Sequence, residues 1–179
     1  MRKNSIFLIG PMGAGKTAVA KRLATLLGLT RWDSDEVIAE RAGVSIEWIF
    51  EQEGEAGFRK REMRVIDELT RLPNIVLATG GGCVTQESNR LCLQERGFVV
   101  YLQVSPDVQW ERTCRRRDHR PLLQVYDSPE KLAALTASRA SWYEAIAHYI
   151  CNTDHQSVQI IVEQIYQHFI ALKKEEASS

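Results

Sequence analysis

The sequence has no excess of charge of either sign: 23 lysines and arginines stand against 23 aspartates and glutamates in 179 residues. No overall field draws such a chain toward nucleic acid or an anionic membrane, so any charge logic must be local. Cysteine is sparse and scattered. Cys83, Cys92, Cys114 and Cys151 form no C-x-x-C pair, which excludes the usual zinc spacings and a disulfide framework. Reduced thiols in a cytoplasmic protein are the expectation. Long apolar runs are missing too. The N-terminal run in "MRKNSIFLIG" is too short for a secretory signal, and no stretch approaches the roughly 20 apolar residues that span a bilayer. No membrane partner is expected.

Apolar residues nevertheless make up 44 % of the chain, enough to fill one core. They come in two patterns. "SIFLI" (5–9), "NIVLA" (74–78) and "FVVYLQV" (98–104) are near-continuous runs, as in strands covered on both faces; "HYIC" (148–151) and "LTRWD" (29–33) are weaker candidates. Between them lie helical patterns. Val19, Leu23, Leu26 and Leu27 share a face that stops at Gly28, and Val158 to Leu172 carries another. Residues 47–69 read as two helices because Gly54 and Gly57 interrupt them. Strict alternation of strand and helix predicts an α/β fold, a parallel sheet in three α/β/α layers. With right-handed crossovers, the carboxyl ends of all strands share one edge. One domain over 1–172 is expected, followed by a disordered tail, "KKEEASS" (173–179).

The most informative stretch is "GPMGAGKT", Gly10 to Thr17. It matches G-x-x-x-x-G-K-[ST] and sits between a strand and a helix, the setting that pattern requires. Gly13 and Gly15 let backbone N–H groups turn inward around phosphate oxygens, and the helix N-terminus adds its positive end. Lys16 supplies a charge to the terminal phosphates and Thr17 a hydroxyl to Mg²⁺. The loop predicts a nucleotide binder without specifying the reaction.

Four further stretches bear on the acceptor. In "WDSDEV", Asp33 and Asp35 end the second strand on the same sheet edge; either they cap a helix, or Asp33 serves the cation while Asp35, on the opposite side of the extended chain, accepts from a hydroxyl. In "EGEAGFRKRE", Glu55 and Glu62 lie four before and three after Arg59, able to orient its guanidinium or merely to form a solvated face. Gly80, Gly81 and Gly82 end the third strong strand, suiting close approach of a small ligand or a plain turn. In "ERTCRRRDHRPLL", Arg112, Arg115, Arg116, Arg117 and Arg120 face a single Asp118. This reads as a lid over phosphates, and Arg120 beside "PLL" is the functional candidate. An RNA patch is disfavoured because no aromatics interleave.

Taken together, "IFLIGPMGAGKT", "DSD", "EGEAGFR", "ATGGG", "RPLL", "SRASWYEAIA" and "NTDHQS" make the chain resemble the shikimate kinases, in the NMP-kinase-like branch of phosphate-loop kinases. The resemblance covers nearly the whole chain. It implies a five-stranded parallel sheet with a mobile lid at about residues 112–124, ATP as donor, one Mg²⁺ held by Thr17 and Asp33, and transfer to the 3-hydroxyl of shikimate. By the same resemblance Gly13, Ala14, Gly15, Lys16, Thr17, Ala18, Arg120 and Asn152 hold the nucleotide. Asp35, Arg59, Gly80, Gly81, Gly82 and Arg139 hold the acceptor, with Lys16, Asp35 and Arg120 in catalysis. The family commonly has proline two residues after this arginine; Ser141 stands there instead. A monomer is expected. Rival readings are a gluconate kinase, which shares the loop and lid, and a nucleotide-dependent switch, which has no use for Asp35, Arg59 and Arg139 together.

Overall fold

The computed structural model describes residues 4–114 and 128–178. Five strands, β1 (Ile6–Ile9), β2 (Thr30–Asp33), β3 (Ile75–Ala78), β4 (Phe98–Gln103) and β5 (Tyr149–Asn152), fall on the five runs read as strands. They form one parallel sheet in the order β2-β3-β1-β4-β5, with Leu8 opposite both Ala78 and Val100 in the register. Among the described residues there are seven α-helices: α1 (Lys16–Leu27), α2 (Ser34–Ala42), α3 (Ile46–Leu69), α4 (Glu87–Arg96), α5 (Pro106–Cys114), α6 (Pro129–Ile146) and α7 (Val158–Ser178).

The layering follows from the two-residue period of a strand. Ile6, Leu8, Val76, Ala78, Val100 and Leu102 point to one face, where they pack with Val19 and Leu23 of α1, Val108 of α5 and Ile161 and Ile165 of α7. Their neighbours Phe7, Ile9, Ile75, Leu77, Val99 and Tyr101 point to the other face, against Val37, Ile38, Ile66, Leu93 and Tyr143 of α2, α3, α4 and α6. Two cores, one sheet between them, explain why the central strands are apolar at every position. The chain leaves β1 in one direction and β3 in the other, which opens a crevice beyond their carboxyl ends. No helix of the described residues is long and apolar enough to cross a membrane.

Four expectations need correction. The 47–69 region is interrupted once, not twice: Gly54 alone departs from helical geometry (φ 67°, ψ −177°) and kinks α3, while Gly57 stays helical. Asp35 is not on an extended chain, because α2 starts at Ser34, directly after the capping Asp33. The tail is helical to Ser178. Lysine, glutamate and alanine are good helix formers, and Lys173 adds an ion pair to Glu176 (3.1 Å) while lying 5.6 Å over the Phe169 ring. Finally, the span assigned to a lid starts too early, since Arg112 to Cys114 complete α5. The remainder of that span, with Arg120, lies outside the described residues.

Candidate active site

The phosphate loop runs from the end of β1 into α1. Gly15 is the N-cap of α1 at φ 94°, ψ 13°, a left-handed conformation that a side chain would strain. The first N–H groups of α1, which have no partner within the helix, are thereby offered at the loop. The Lys16 ammonium folds over the same loop, donating to the carbonyls of Gly10 (2.7 Å) and Pro11 (2.8 Å). A cavity of about 320 Å³ opens here, with Gly13, Ala14, Gly15, Lys16, Thr17 and Ala18 on one side and Arg112, Gln156 and Val158 on the other.

Asn152 does not line this cavity. Its Oδ1 accepts from the N–H of Asp154 (2.7 Å) and its carbonyl from Nε2 of Gln156 (3.0 Å), so it shapes the turn that presents Gln156. Arg112, read as the start of the lid, is a fastener: it donates to the Thr153 carbonyl (2.6 Å), to Thr153 Oγ1 (3.0 Å) and to the Gly13 carbonyl (3.4 Å). Sequence spacing carries no signal for either residue.

Of the two roles considered for Asp33, the cap is seen: Oδ1 accepts from the N–H of Asp35 (3.1 Å) and caps α2. The cap leaves Oδ2 turned to Thr17, whose hydroxyl donates to it (2.9 Å). Among the described residues no three histidines, cysteines, aspartates or glutamates cluster as a metal cage.

A second cavity, about 450 Å³, lies on the other side of Lys16 and Thr17, which line both. Asp33, Asp35, Gly81, Gly82, Arg139 and Tyr143 face it, with Ile46 and Leu135 as its apolar wall. Gly80 stands behind that wall and donates its N–H to Ser34 Oγ (3.0 Å). Arg59 is at the edge of this cavity, directly against Gly82: a Cβ there would overlap the guanidinium. The glycines do permit a close approach, and the approaching group is Arg59.

The guanidinium is held from two sides. Nε and Nη2 donate to Glu55 Oε1 (3.2 and 3.0 Å) and Nη1 to Glu62 Oε2 (2.7 Å). Three of five N–H donors are thus used, leaving one on each terminal nitrogen, the spacing of a carboxylate fork. Burial works against the charge on Arg59, but Glu62 and Glu55 outweigh it and raise its pKa.

Glu62 is fully buried, and its Oε1 has no hydrogen-bond partner. A Cβ at Gly80 would lie 2.8 Å from both this atom and Asp35 Oδ1, so the two carboxyl groups are neighbours. Desolvation pushes Glu62 up to about 7 against the pull of Arg59, and the Asp35 charge pushes the same way. The unfolded chain releases this proton near the ordinary value of 4.5, so the stability Glu62 contributes is fully present below that pH and is lost as pH rises through 7. Glu62→Gln should remove this decline: the stability difference between wild type and variant changes by about 3 kcal/mol across that window. Urea midpoints at several pH values measure it; a constant difference would show Glu62 to be an ordinary carboxylate.

Tyr143, not singled out by the sequence, is fully buried. It stacks on Tyr101 at 5.0 Å and donates its hydroxyl to the Gly81 carbonyl, which Arg139 Nη1 also reaches (3.4 Å). With serine at 141, α6 runs unbroken from Arg139 through Tyr143.

Residues 12–170 match the family model of shikimate kinase. The shikimate kinase of Actinobacillus pleuropneumoniae serotype 5b is 50 % identical over 165 residues, covering 92 % of this chain and 95 % of that one. A solved shikimate kinase from Acinetobacter baumannii, in complex with shikimate, superposes with a TM-score of 0.91 at 45 % identity, covering 97 % and 96 % of the two chains. A gluconokinase from Sinorhizobium meliloti reaches 0.63 at 19 % identity over 99 % and 98 %, a likeness of fold alone.

Proposed function

The chain belongs to the shikimate kinase family, and we propose that its two cavities hold ATP and shikimate so that the γ-phosphate passes to the 3-hydroxyl across Lys16 and Thr17. The observation that carries this reading is that these two residues line both cavities. A donor and an acceptor seated there meet at one ammonium. Phosphoryl transfer has a loose transition state in which charge spreads over the moving group, so positioning and neutralisation do most of the work.

The nucleotide phosphates take the loop N–H groups and Lys16, and the base lies toward Arg112, Gln156 and Val158. Arg120, assigned by the family resemblance, completes the positive surround. Thr17 and Asp33 present two oxygens 2.9 Å apart, a donor set that suits Mg²⁺, which takes its other ligands from phosphate and water. Bound there, the ion would neutralise charge on the phosphates. The acceptor carboxylate pairs with the spare N–H donors of Arg59 and with Arg139. Asp35 accepts from hydroxyls and takes the proton of the reacting one. The enzyme is read as a cytoplasmic monomer, the cytoplasm being where four unpaired thiols persist.

Release of ADP with shikimate or with gluconate tests the reading. We expect turnover with shikimate, dependent on Mg²⁺, and about a hundredfold less with gluconate; equal turnover would overturn the choice of acceptor. Asp35→Asn should lower kcat about a hundredfold, the usual size of a general-base contribution. If only the shikimate KM rises, Asp35 binds and does not move the proton.

A further inference from the structure

Two polar residues that line the acceptor cavity, Gln109 and Thr136, have no part in the chemistry just described. Gln109 is completely buried in α5, where a glutamine is normally exposed. Both ends of its amide are engaged, each with a different element. Nε2 donates to the carbonyl of Met12 in the phosphate loop (3.0 Å), and Oε1 accepts from the hydroxyl of Thr136 in α6 (3.0 Å). Thr136 lies three residues before Arg139, one turn along the same helix.

We propose that Gln109 is a positioning residue: it braces the donor loop against the helix that carries the acceptor arginine and so sets the distance across which the phosphate moves. An amide is the side chain that suits this place. It offers a donor to the carbonyl and an acceptor to the hydroxyl at fixed separation, whereas a carboxylate would set oxygen against the Met12 carbonyl.

Two further contacts make α5 a strut and not a bystander. A Cβ at Gly13 would come within 3.2 Å of the Gln109 carbonyl and 3.5 Å of its Cγ, so loop and helix already touch. One turn on, Arg112 of α5 reaches the Gly13 carbonyl. The loop is thereby bonded to α5 at Met12 and Gly13, and α5 to α6 at Thr136. Met12 also approaches the acceptor side, its N lying 3.2 Å from where a Gly81 Cβ would stand. A shift of Met12 therefore disturbs the donor and acceptor walls together.

The inference rests on the phosphoryl-transfer reading, and wild-type turnover of shikimate tests that reading separately. Gln109→Met keeps the volume and removes both bonds; Thr136→Val removes only the bond to α6; Thr136→Ser keeps it. Misplacing reactants by a fraction of an ångström costs rate without costing binding. We expect kcat to fall about tenfold in Gln109→Met and several-fold in Thr136→Val, with KM for ATP and shikimate each within about twofold and kcat restored in Thr136→Ser. The double variant should be no slower than Gln109→Met alone, because one bridge is lost only once. A raised shikimate KM at constant kcat would make these residues direct substrate contacts and overturn the proposal. So would unchanged kcat, or losses that multiply in the double variant. If Gln109→Met does not fold, the comparison of Thr136→Val with Thr136→Ser decides alone.

Discussion

Replacing Arg59 with methionine is expected to lower stability by about 3 kcal/mol and to weaken shikimate binding about a hundredfold. The two losses have different origins. Removing one partner of a buried pair leaves the other stranded, at a usual cost of about 3–5 kcal/mol. Here Glu62 is the stranded group, fully buried and 2.7 Å from the nitrogen that would vanish. Its pKa of about 7 places the cost at the lower end, because the carboxyl escapes part of the penalty by keeping its proton. The binding loss reflects the two spare N–H donors, since hydrogen bonds to charged groups contribute about 1.5–3 kcal/mol each way of counting.

A second substitution separates the two effects. In Arg59→Met with Glu62→Leu the stranded charge is gone, and apolar replacement of a buried pair is often neutral. Unfolding midpoints should return toward wild type while the shikimate KM stays high. Recovery of KM in the double variant would show that Arg59 serves the fold only.

Lys16→Met is expected to reduce kcat about 10² to 10³ fold, the range for removing one preorganised donor from developing charge. Shikimate affinity measured by calorimetry should stay within about twofold, since the acceptor cavity keeps Asp35 and Arg139. The fold should be little affected, because the Lys16 ammonium lies at the loop mouth, donating to the carbonyls of Gly10 and Pro11. If kcat falls less than tenfold, the charge on the moving phosphate is met elsewhere, and the meeting of the two cavities at Lys16 loses its meaning.

The sheet was legible because strands buried on both faces are apolar throughout. Even "LTRWD", with a charge at each end of its tryptophan, fell in place as β2, an edge strand where one side needs no partner strand. The kink at Gly54 was legible for a related reason: glycine inside a helical pattern marks either weakness or a break. Gly57 carries the same letter and remains helical, so letters alone do not rank the two.

Within the site, the residues legible in sequence are those whose spacing is fixed by local geometry. The phosphate loop and the Glu55–Arg59–Glu62 turn are of this kind. Gln109, Tyr143, Arg112 and Gln156 are not, because each acts on a partner between 4 and 99 positions away that no periodicity encodes. Three glycines announced a tight approach without saying what approached. Asp35 was misplaced by a subtler cause: an aspartate in the first turn of a helix and one on an extended strand end look the same until that turn is built.

That shared cap has an implication for anyone altering this protein. The carboxylate of Asp33 starts α2 with one oxygen and faces Thr17 with the other, so the seat proposed for the divalent ion and the entry angle of a helix depend on one short side chain. Glutamate would carry the same charge on a longer arm and could satisfy only one of these roles at a time. Retuning the enzyme for a larger ion therefore has to begin at Thr17, leaving the aspartate where it is.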